Sequence, residues 1–341
     1  MMTTMRAAVL RAFGAPLAIE ERPIPVPGPG EVLVRVVASG VCHTDLHAVN
    51  GDWPVKPALP LVPGHEAVGH VAALGSGVTT LKEGDPVGVP WLHDACGGCE
   101  YCETGWETLC DHQHNTGYGV DGGYADYVLA PAAYVGRLPE RPDFVAMAPI
   151  LCAGVTTYKG LKETEARPGE WVAISGIGGL GHVAIQYAKA MGLHVAAIDV
   201  AEDKLALARQ LGADVAIDAR EADAAERVRR ETGGGAHGVL VTAPSPPAFQ
   251  QAIGMVRKRG TVALVGLPAG SFPLPIFDIV LKRITVRGSI VGTRRDLDEA
   301  LAFAAEGHIR TQVTTAPLEN VNAVLQLLAD GRVEGRVVLS L

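Results

Sequence analysis

The chain has 341 residues, of which 48% are hydrophobic and 19% are charged. This composition is typical of globular proteins, and the length exceeds what one hydrophobic core usually serves, so we expect two domains. The net charge of -8 argues against a nucleic-acid partner, which would require a clustered basic face.

Membrane insertion and secretion are also disfavoured by the sequence. No segment approaches the ~20 uninterrupted apolar residues that a membrane-spanning helix needs. The N-terminal segment MMTTMRAAVLRAFG is too short and too interrupted for a signal peptide. We therefore expect no membrane partner.

The first 150 residues alternate between short apolar runs and turns rich in glycine and proline. Such spacing predicts a β domain of barrel-like type. The predicted strands are MRAAVL, EVLVRVVASG, AVGHVAALG, DPVGVPW and GGYADYVLA.

Four of the six cysteines lie close together in the sequence, in the pattern C-x2-C-x2-C-x7-C. Four thiolates at such spacing can close a tetrahedral structural zinc site. Disulfides remain an alternative, but C-x2-C spacing is poor disulfide geometry. An iron–sulfur cluster is a second alternative; in the bacterial ferredoxin pattern, however, the fourth cysteine follows sooner and precedes proline. The predicted ligands are Cys96, Cys99, Cys102 and Cys110, in a lobe of about residues 94–112.

The two remaining cysteines, Cys42 and Cys152, stand alone in the sequence. Catalytic zinc keeps three protein ligands and one open position. Two cysteines and one histidine would supply such a site, and His65 in the segment GHEAVGH is the candidate histidine. Thiolates that hold metal must stay reduced, so we expect a reducing compartment, the cytoplasm.

From about residue 153 the pattern changes to strands that alternate with helices. This alternation predicts a doubly wound parallel sheet of six strands with helices on both faces. The predicted strands are WVAISG, HVAAID, DVAID, GVLVTAP, TVALVG and ITVRGSI. After about residue 290 the repeat stops, and two predicted helices and a last strand could return to the first domain.

A glycine-rich motif follows the first of these strands. Gly176, Gly178 and Gly181 match G-x-G-x-x-G between a strand and a helix, which is the context of a dinucleotide site. Asp199 ends the next strand, where a carboxylate binds the adenosine ribose and repels a 2′-phosphate. The motif therefore predicts NAD rather than NADP, although Asp199 could also be an ordinary strand-end residue.

The segments CHTDLHA, GDWP, GHE, CEYCE, APILCAGVT and GIGGLG occur in a fixed order. Together they resemble the zinc-containing medium-chain alcohol dehydrogenases, nearly end to end, and the microbial, yeast-like ethanol-type enzymes in particular. The resemblance implies a GroES-like catalytic domain (1–153 and 291–341), a Rossmann NAD-binding domain (154–290) and a homotetramer or homodimer. The sequence itself shows no oligomer signature.

The resemblance also implies roles for residues near the catalytic zinc. Cys42, His65 and Cys152 match its ligands, and Glu66 matches a group close to the metal. Asp45 matches the carboxylate that orients the ligand histidine.

Further residues match a proton relay, Thr44 and His47, and contacts with the cofactor. His43 and His47 could instead lie on a polar helix face. The predicted cofactor contacts, besides the three glycines and Asp199, are His43, Thr156, Gly179, Leu180, Lys204, Val265 and Arg336.

Trp53 and Trp91 match positions that line the substrate channel in the resembling enzymes. Two large rings would favour ethanol-sized, linear primary alcohols, whereas the alternative is that both are ordinary core residues. Other zinc dehydrogenases of polyols or of secondary or aromatic alcohols would share the metal sites. A non-catalytic NAD-binding protein or a zinc-free reductase is disfavoured because every ligand is present.

Overall fold

The computed structural model describes residues 3–341. By their internal contacts these residues form two compact units. The first contains the residues up to Cys152 together with Thr293–Ala305 and Thr311–Leu341, and the second contains Ala153–Gly292 and Glu306–Arg310. The division at 1–153, 154–290 and 291–341 stays a prediction about functional domains.

The described residues form strands and helices in an order that we number along the chain. The strands are β1 (Thr4–Val9), β2 (Ala18–Pro23), β3 (Glu31–Val41), β4 (Ala67–Leu74), β5 (Pro86–Val89), β6 (Leu92–Asp94), β7 (His114–Asn115), β8 (Tyr127–Pro131), β9 (Gly136–Arg137), β10 (Trp171–Ser175), β11 (His194–Asp199), β12 (Val215–Asp218), β13 (Ala236–Val241), β14 (Val256–Leu264), β15 (Thr285–Gly288), β16 (Val313–Pro317) and β17 (Arg336–Ser340). The α-helices are α1 (His43–Asn50), α2 (Glu100–Glu103), α3 (Phe144–Met147), α4 (Ala153–Glu163), α5 (Gly181–Ala190), α6 (Glu202–Gln210), α7 (Ala224–Glu231), α8 (Pro246–Met255), α9 (Ile276–Lys282), α10 (Arg294–Ala305) and α11 (Val321–Ala329). Short 3₁₀ turns span Glu107–Leu109, Ala148–Leu151 and Leu318–Asn320.

The first unit is built on a seven-stranded sheet whose longest strand is β3. β3 pairs antiparallel with both β4 and β17. In the register, Val41 faces Val337 and Ser39 faces Ala67. Because antiparallel neighbours run in opposite directions, the end of β3 lies beside the beginnings of β4 and β17. Residues that are far apart in the sequence therefore meet where these three neighbouring strands begin or end.

The second unit contains a six-stranded parallel sheet in the order β12-β11-β10-β13-β14-β15. Its strands are buried apolar runs, as expected for a sheet covered on both faces. Strand order reverses between β10 and β13, and ligands of such sheets bind at the carboxyl ends of the strands at this switch point. The predicted six-stranded parallel sheet is confirmed.

The segment Glu306–Arg310 contacts the second unit although both of its neighbours along the chain belong to the first. The side chain of Gln186 binds the backbone of Arg310 at both ends, accepting from the nitrogen at 2.8 Å and donating to the oxygen at 3.0 Å. A polar side chain in α5 thus holds the last residue of this segment.

No single helix within residues 3–341 is long and apolar enough to cross a bilayer. One bent pair, Phe144–Leu151 with Ala153–Glu163, meets the requirement by length and composition alone. Core helices of globular proteins have the same composition.

Candidate active site

Four side chains that could bind metal converge in the first unit. Cys42, His65, Glu66 and Cys152 are all buried, and one ligand atom of each lies within 4.8 Å of those of the others. Cys42 follows the last residue of β3, and His65 and Glu66 immediately precede β4. Cys152 follows the 3₁₀ turn Ala148–Leu151. The structure thus brings together the three predicted catalytic-zinc ligands and Glu66.

Asp45 orients the histidine of this cluster. Its carboxylate is 1% exposed, and Oδ1 lies 2.9 Å from His65 Nδ1. The other donors to the same carboxylate are the backbone nitrogens of Cys42 and Gly64 and the hydroxyl of Tyr124. Four donors match the capacity of one ionised carboxylate. With Nδ1 occupied in this way, Nε2 of His65 is the nitrogen left for a metal.

The fit to zinc can be judged from the atoms that lack partners. Nε2 of His65 is buried and accepts no hydrogen bond from another residue. A buried polar atom without a partner is costly, and a metal ion would satisfy it. Two sulfurs and one imidazole nitrogen form the ligand set that zinc prefers. The residues present therefore fit the predicted ion.

The two thiols of the cluster are strongly coupled. The sulfurs of Cys42 and Cys152 are 3.9 Å apart. The hydrogen bond from Cys152 holds the pKa of Cys42 well below its ordinary value, and the same contact raises the pKa of Cys152. Burial lowers the pKa of His65, but Asp45 and Cys42 together outweigh burial and raise this pKa well above its ordinary value. One thiol is therefore predisposed to ionise first.

Glu66 forms a buried ion pair with Arg336, the first residue of β17. Burial raises the pKa of Glu66 to about 6 against the opposing effect of the Arg336 guanidinium. Space for the carboxylate comes from Gly40, where a Cβ would lie 1.8 Å from Glu66 Oε2. The sequence predicted that Arg336 contacts the cofactor, and the structure places its guanidinium against Glu66.

The four clustered cysteines also converge. Their sulfurs lie within 4.8 Å of one another, and all six cysteines of the chain are free thiols. Backbone nitrogens of Cys96 and His112 donate to the sulfur of Cys110 at 3.5 and 3.4 Å. Such bonds favour thiolates, and this arrangement fits the predicted structural zinc rather than disulfides.

Aromatic rings line the space beside His65. The ring of Trp91 lies 5.3 Å from the imidazole of His65, edge to face. Trp53 packs at 6.4 Å from Trp91 and stacks on His47 at 5.0 Å. Tyr118 contacts both tryptophans at 5.5 and 5.7 Å. Trp91 therefore lies beside a metal ligand, Trp53 is connected to it through the ring contact, and Tyr118 is a third ring that the sequence reasoning missed.

The predicted relay residues lie on α1. Thr44 Oγ1 is 3.8 Å from the sulfur of Cys42. His47 is in the next turn, bonded through Nδ1 to Asp52 at 2.8 Å, with 31% of its side chain exposed. His43 is exposed at the start of the same helix. α1 begins with a capping box in which Asp45 accepts from the nitrogen of Cys42.

In the second unit, the glycine-rich motif joins β10 to α5. Gly176 has φ of +97°, and a Cβ on Gly181 would lie 1.9 Å from the carbonyl oxygen of Gly176. A Cβ on Gly178 would meet nothing within 4 Å. As the motif predicts, Gly176 permits a left-handed turn, Gly178 leaves the backbone open to a ligand, and Gly181 permits close packing of the helix on the turn.

Asp199 lies at the end of β11 and is buried. Its carboxylate accepts from the nitrogen of Ile177 at 2.6 Å, inside the motif, and from those of Val200 and Ala201. The other predicted cofactor residues of this unit lie in α4, in the motif, in α6 and after β14; they are Thr156, Gly179, Leu180, Lys204 and Val265.

Comparison with known proteins agrees with both units. The family described as the alcohol dehydrogenase GroES-like domain matches residues 28–140, and the family of zinc-binding dehydrogenases matches residues 179–306. The chain is 64% identical to an alcohol dehydrogenase of Rhizobium meliloti (strain 1021) over 338 residues, 99% of each chain. It is 44% identical to an alcohol dehydrogenase of Schizosaccharomyces pombe over 98% of this chain and 97% of that one.

Solved structures give the same result. An acetophenone reductase from Geotrichum candidum, determined in complex with NAD, superposes with a TM-score of 0.89 at 32% identity, covering 100% of this chain and 98% of that one. The chain belongs to the zinc-containing alcohol dehydrogenase family. This membership confirms the predicted family, the fold class and the assignment of the chain as an alcohol dehydrogenase that uses zinc.

Proposed function

We propose that this enzyme transfers hydride reversibly between short linear primary alcohols and NAD, giving aldehyde and NADH. The observation that carries the proposal is the buried cluster of Cys42, His65 and Cys152, in which Nε2 of His65 has no partner. Three ligands leave one coordination position for the oxygen of a substrate. When bound, zinc favours loss of the proton from an oxygen ligand.

The protein groups around this cluster bind, orient and move a proton. Asp45 holds the imidazole of His65, and Glu66 with Arg336 forms an ion pair beside the ligands. Thr44 and His47 would carry the alcohol proton towards solvent. The partial exposure of His47 supports its position at the outer end of the relay, and histidine changes charge near neutral pH.

The preference for NAD rests on Asp199. Its carboxylate is fixed by three backbone nitrogens at the carboxyl end of β11. A fixed negative charge there favours ribose hydroxyls over a 2′-phosphate. Contacts with the cofactor from Thr156, Lys204, Val265 and His43 belong to the same proposal.

The preference for short alcohols rests on Trp53 and Trp91. Trp91 lies beside His65, Trp53 stacks on His47, and Tyr118 contacts both tryptophan rings. A pocket walled by large rings leaves little room for a branched or aromatic chain.

We also propose a homo-oligomer, a tetramer by the family resemblance, with a contact through α9. This helix buries none of its residues, and Ile276, Phe277, Val280 and Leu281 are between 64% and 81% exposed. The adjacent β15 is an edge strand of the parallel sheet. An exposed apolar face beside an open edge is typical of an interface, and a second copy supplies the same two features by two-fold symmetry. The six thiols require a reducing compartment, which supports a cytoplasmic enzyme.

The function is tested by metal analysis coupled to NAD and NADP reduction with alcohols of graded length and branching. The expected result is two zinc ions per chain, a higher kcat/KM with NAD, and a higher kcat/KM for ethanol or propanol than for cyclohexanol or cinnamyl alcohol. Cys42→Ala should abolish turnover and leave NADH binding intact. Unchanged turnover in this variant would remove the metal cluster from the reaction.

A further inference from the structure

Tyr118 is the most enclosed of the three rings beside the metal ligands. It is 7% exposed, whereas Trp53 and Trp91 are half-buried. Its ring is tilted against both tryptophans, at centroid distances within the range of favourable aromatic pairs. Tyr118 therefore contacts both proposed walls of the alcohol pocket at once.

The hydroxyl of Tyr118 holds the segment that carries Trp53. It donates to the carbonyl oxygen of Val55 at 2.5 Å. Within the described chain, no hydrogen bond joins the backbone of residues 52–60 to another backbone group. Three prolines in this segment lack the N–H that could form one. This bond, the tether, is thus the one hydrogen bond to the backbone of the segment among the described residues. The other contacts of the segment are made by side chains, such as the bond of Asp52 to His47 and the stacking of Trp53 on the same ring.

Tyr118 itself lies in a turn, Asn115–Val120, that is held by its own backbone hydrogen bonds. The nitrogens of Tyr118 and Gly119 donate to the carbonyl of Asn115 at 3.1 and 2.7 Å. The nitrogen of Thr116 donates to the carbonyl of Trp91 at 2.9 Å. The turn is therefore attached to the segment that carries the second tryptophan.

The turn also lies against the residue before His65. Gly117 has φ of +71°, and a Cβ there would lie 2.7 Å from the nitrogen of Gly64. Only glycine permits this approach. The turn that carries Tyr118 is consequently held by backbone contacts, to Trp91 on one side and to Gly64 on the other.

We propose that Tyr118 is a positioning residue for substrate selectivity: it sets the width of the alcohol pocket by holding Trp53 against Trp91. This inference rests on the proposed function, because it requires the two tryptophans to line the pocket. Burial also raises the pKa of the Tyr118 phenol, which keeps it a hydrogen-bond donor.

The test uses Tyr118→Phe, which keeps the ring and removes the tether. The measured quantity is the ratio of kcat/KM for ethanol to kcat/KM for cinnamyl alcohol. We expect this ratio to fall about tenfold, the lower end of what a misfit of one methylene costs in an apolar pocket. The fall should come more from KM than from kcat, because released Trp53 loosens binding. Tyr101→Phe, which alters a 40% exposed tyrosine in the zinc lobe, is the matched control and should leave the ratio unchanged.

Introducing Tyr118→Phe and its control Tyr101→Phe into a Trp53→Ala variant shows whether Tyr118 acts through Trp53. Trp53→Ala alone should lower the ratio, and adding Tyr118→Phe should then have no further effect, since coupled residues are not additive. An equal effect of Tyr118→Phe in both backgrounds would mean direct contact with substrate and would overturn the inference. If Trp53→Ala changed the ratio and Tyr118→Phe did not, the role of Tyr118 would be rejected and the proposed pocket would be kept. An unchanged ratio in both would reject the pocket itself.

Discussion

At the scale of single residues, Asp45 connects the start of a helix to the metal ligands. Its carboxylate caps α1 through the nitrogen of Cys42 and orients His65 through Nδ1. Tyr124 supplies a further donor from a distant part of the chain. One buried side chain thus fixes two ligands. Its loss should lower the affinity for the metal more than it lowers the stability of the fold.

We predict that Asp45→Asn weakens the catalytic zinc site by about 10–100-fold, as is typical for loss of a carboxylate behind a ligand histidine. Metal analysis after competition with a chelator should then find one zinc per chain instead of two, because the four-cysteine lobe is unaffected. Asp296→Asn is the control: Asp296 is equally buried but caps α10 through Thr293. Two zinc ions retained by Asp45→Asn under the same conditions would contradict the role of this carboxylate.

At the scale of elements, the connection from β10 to α5 combines two requirements. Gly181 permits α5 to pack closely against the turn that begins at Gly176, whereas Gly178 leaves the backbone open to a ligand. Adding a methyl group at each position should therefore separate stability from binding.

We predict that Gly181→Ala lowers the free energy of unfolding by about 1–3 kcal/mol, the usual cost of overpacking. Gly178→Ala should change the free energy of unfolding by less than about 0.5 kcal/mol and weaken NADH binding, because its methyl group points into open space at the motif. Thermal unfolding and a fluorescence titration with NADH measure the two effects. Equal losses of stability in both variants would refute the distinction.

The four-cysteine lobe should stabilise the fold and take no part in the reaction. Cys99→Ser should lower Tm by about 10 °C or more, given a shift of about 2–4 °C per kcal/mol for a unit of this size and the loss of a metal site that contributes several kcal/mol. The kcat of the protein that stays folded, measured per catalytic zinc, should change little. A variant with wild-type Tm and no activity would show that this prediction is wrong.

At the scale of the whole molecule, the exposed apolar face of α9 is the feature that a single chain leaves unexplained. Phe277 is 81% exposed beside an edge strand. An isolated apolar residue such as Val26, 84% exposed, is common on protein surfaces and needs no partner. The difference between the two lies in the apolar neighbours of Phe277.

We predict that Phe277→Asp at least halves the native mass measured by light scattering, because a buried unpaired carboxylate would oppose assembly. Val26→Asp should keep the wild-type mass. If Phe277→Asp also kept it, α9 would not be part of the interface.

Much of this protein follows from local sequence. The four-cysteine spacing, the glycine motif with Asp199, and the six apolar strands depend on short-range geometry, so each could be predicted from the residues themselves. β2 and β16 were not predicted, because their side chains are largely exposed and carry no apolar alternation. Their pairing partners, not their composition, make them strands.

The tertiary structure decided which distant residues meet. Cys42, His65 and Arg336 converge because β3 runs antiparallel to β4 and β17, and this register is set by backbone pairing along whole strands. Cys152 joins them from the 3₁₀ turn Ala148–Leu151. Tyr118 and Tyr124 carry no motif, and they gain their roles only because the segment 115–124 packs against the residues before His65. Local patterns specify ligand types and spacing, whereas long-range pairing and packing determine the neighbours that orient them.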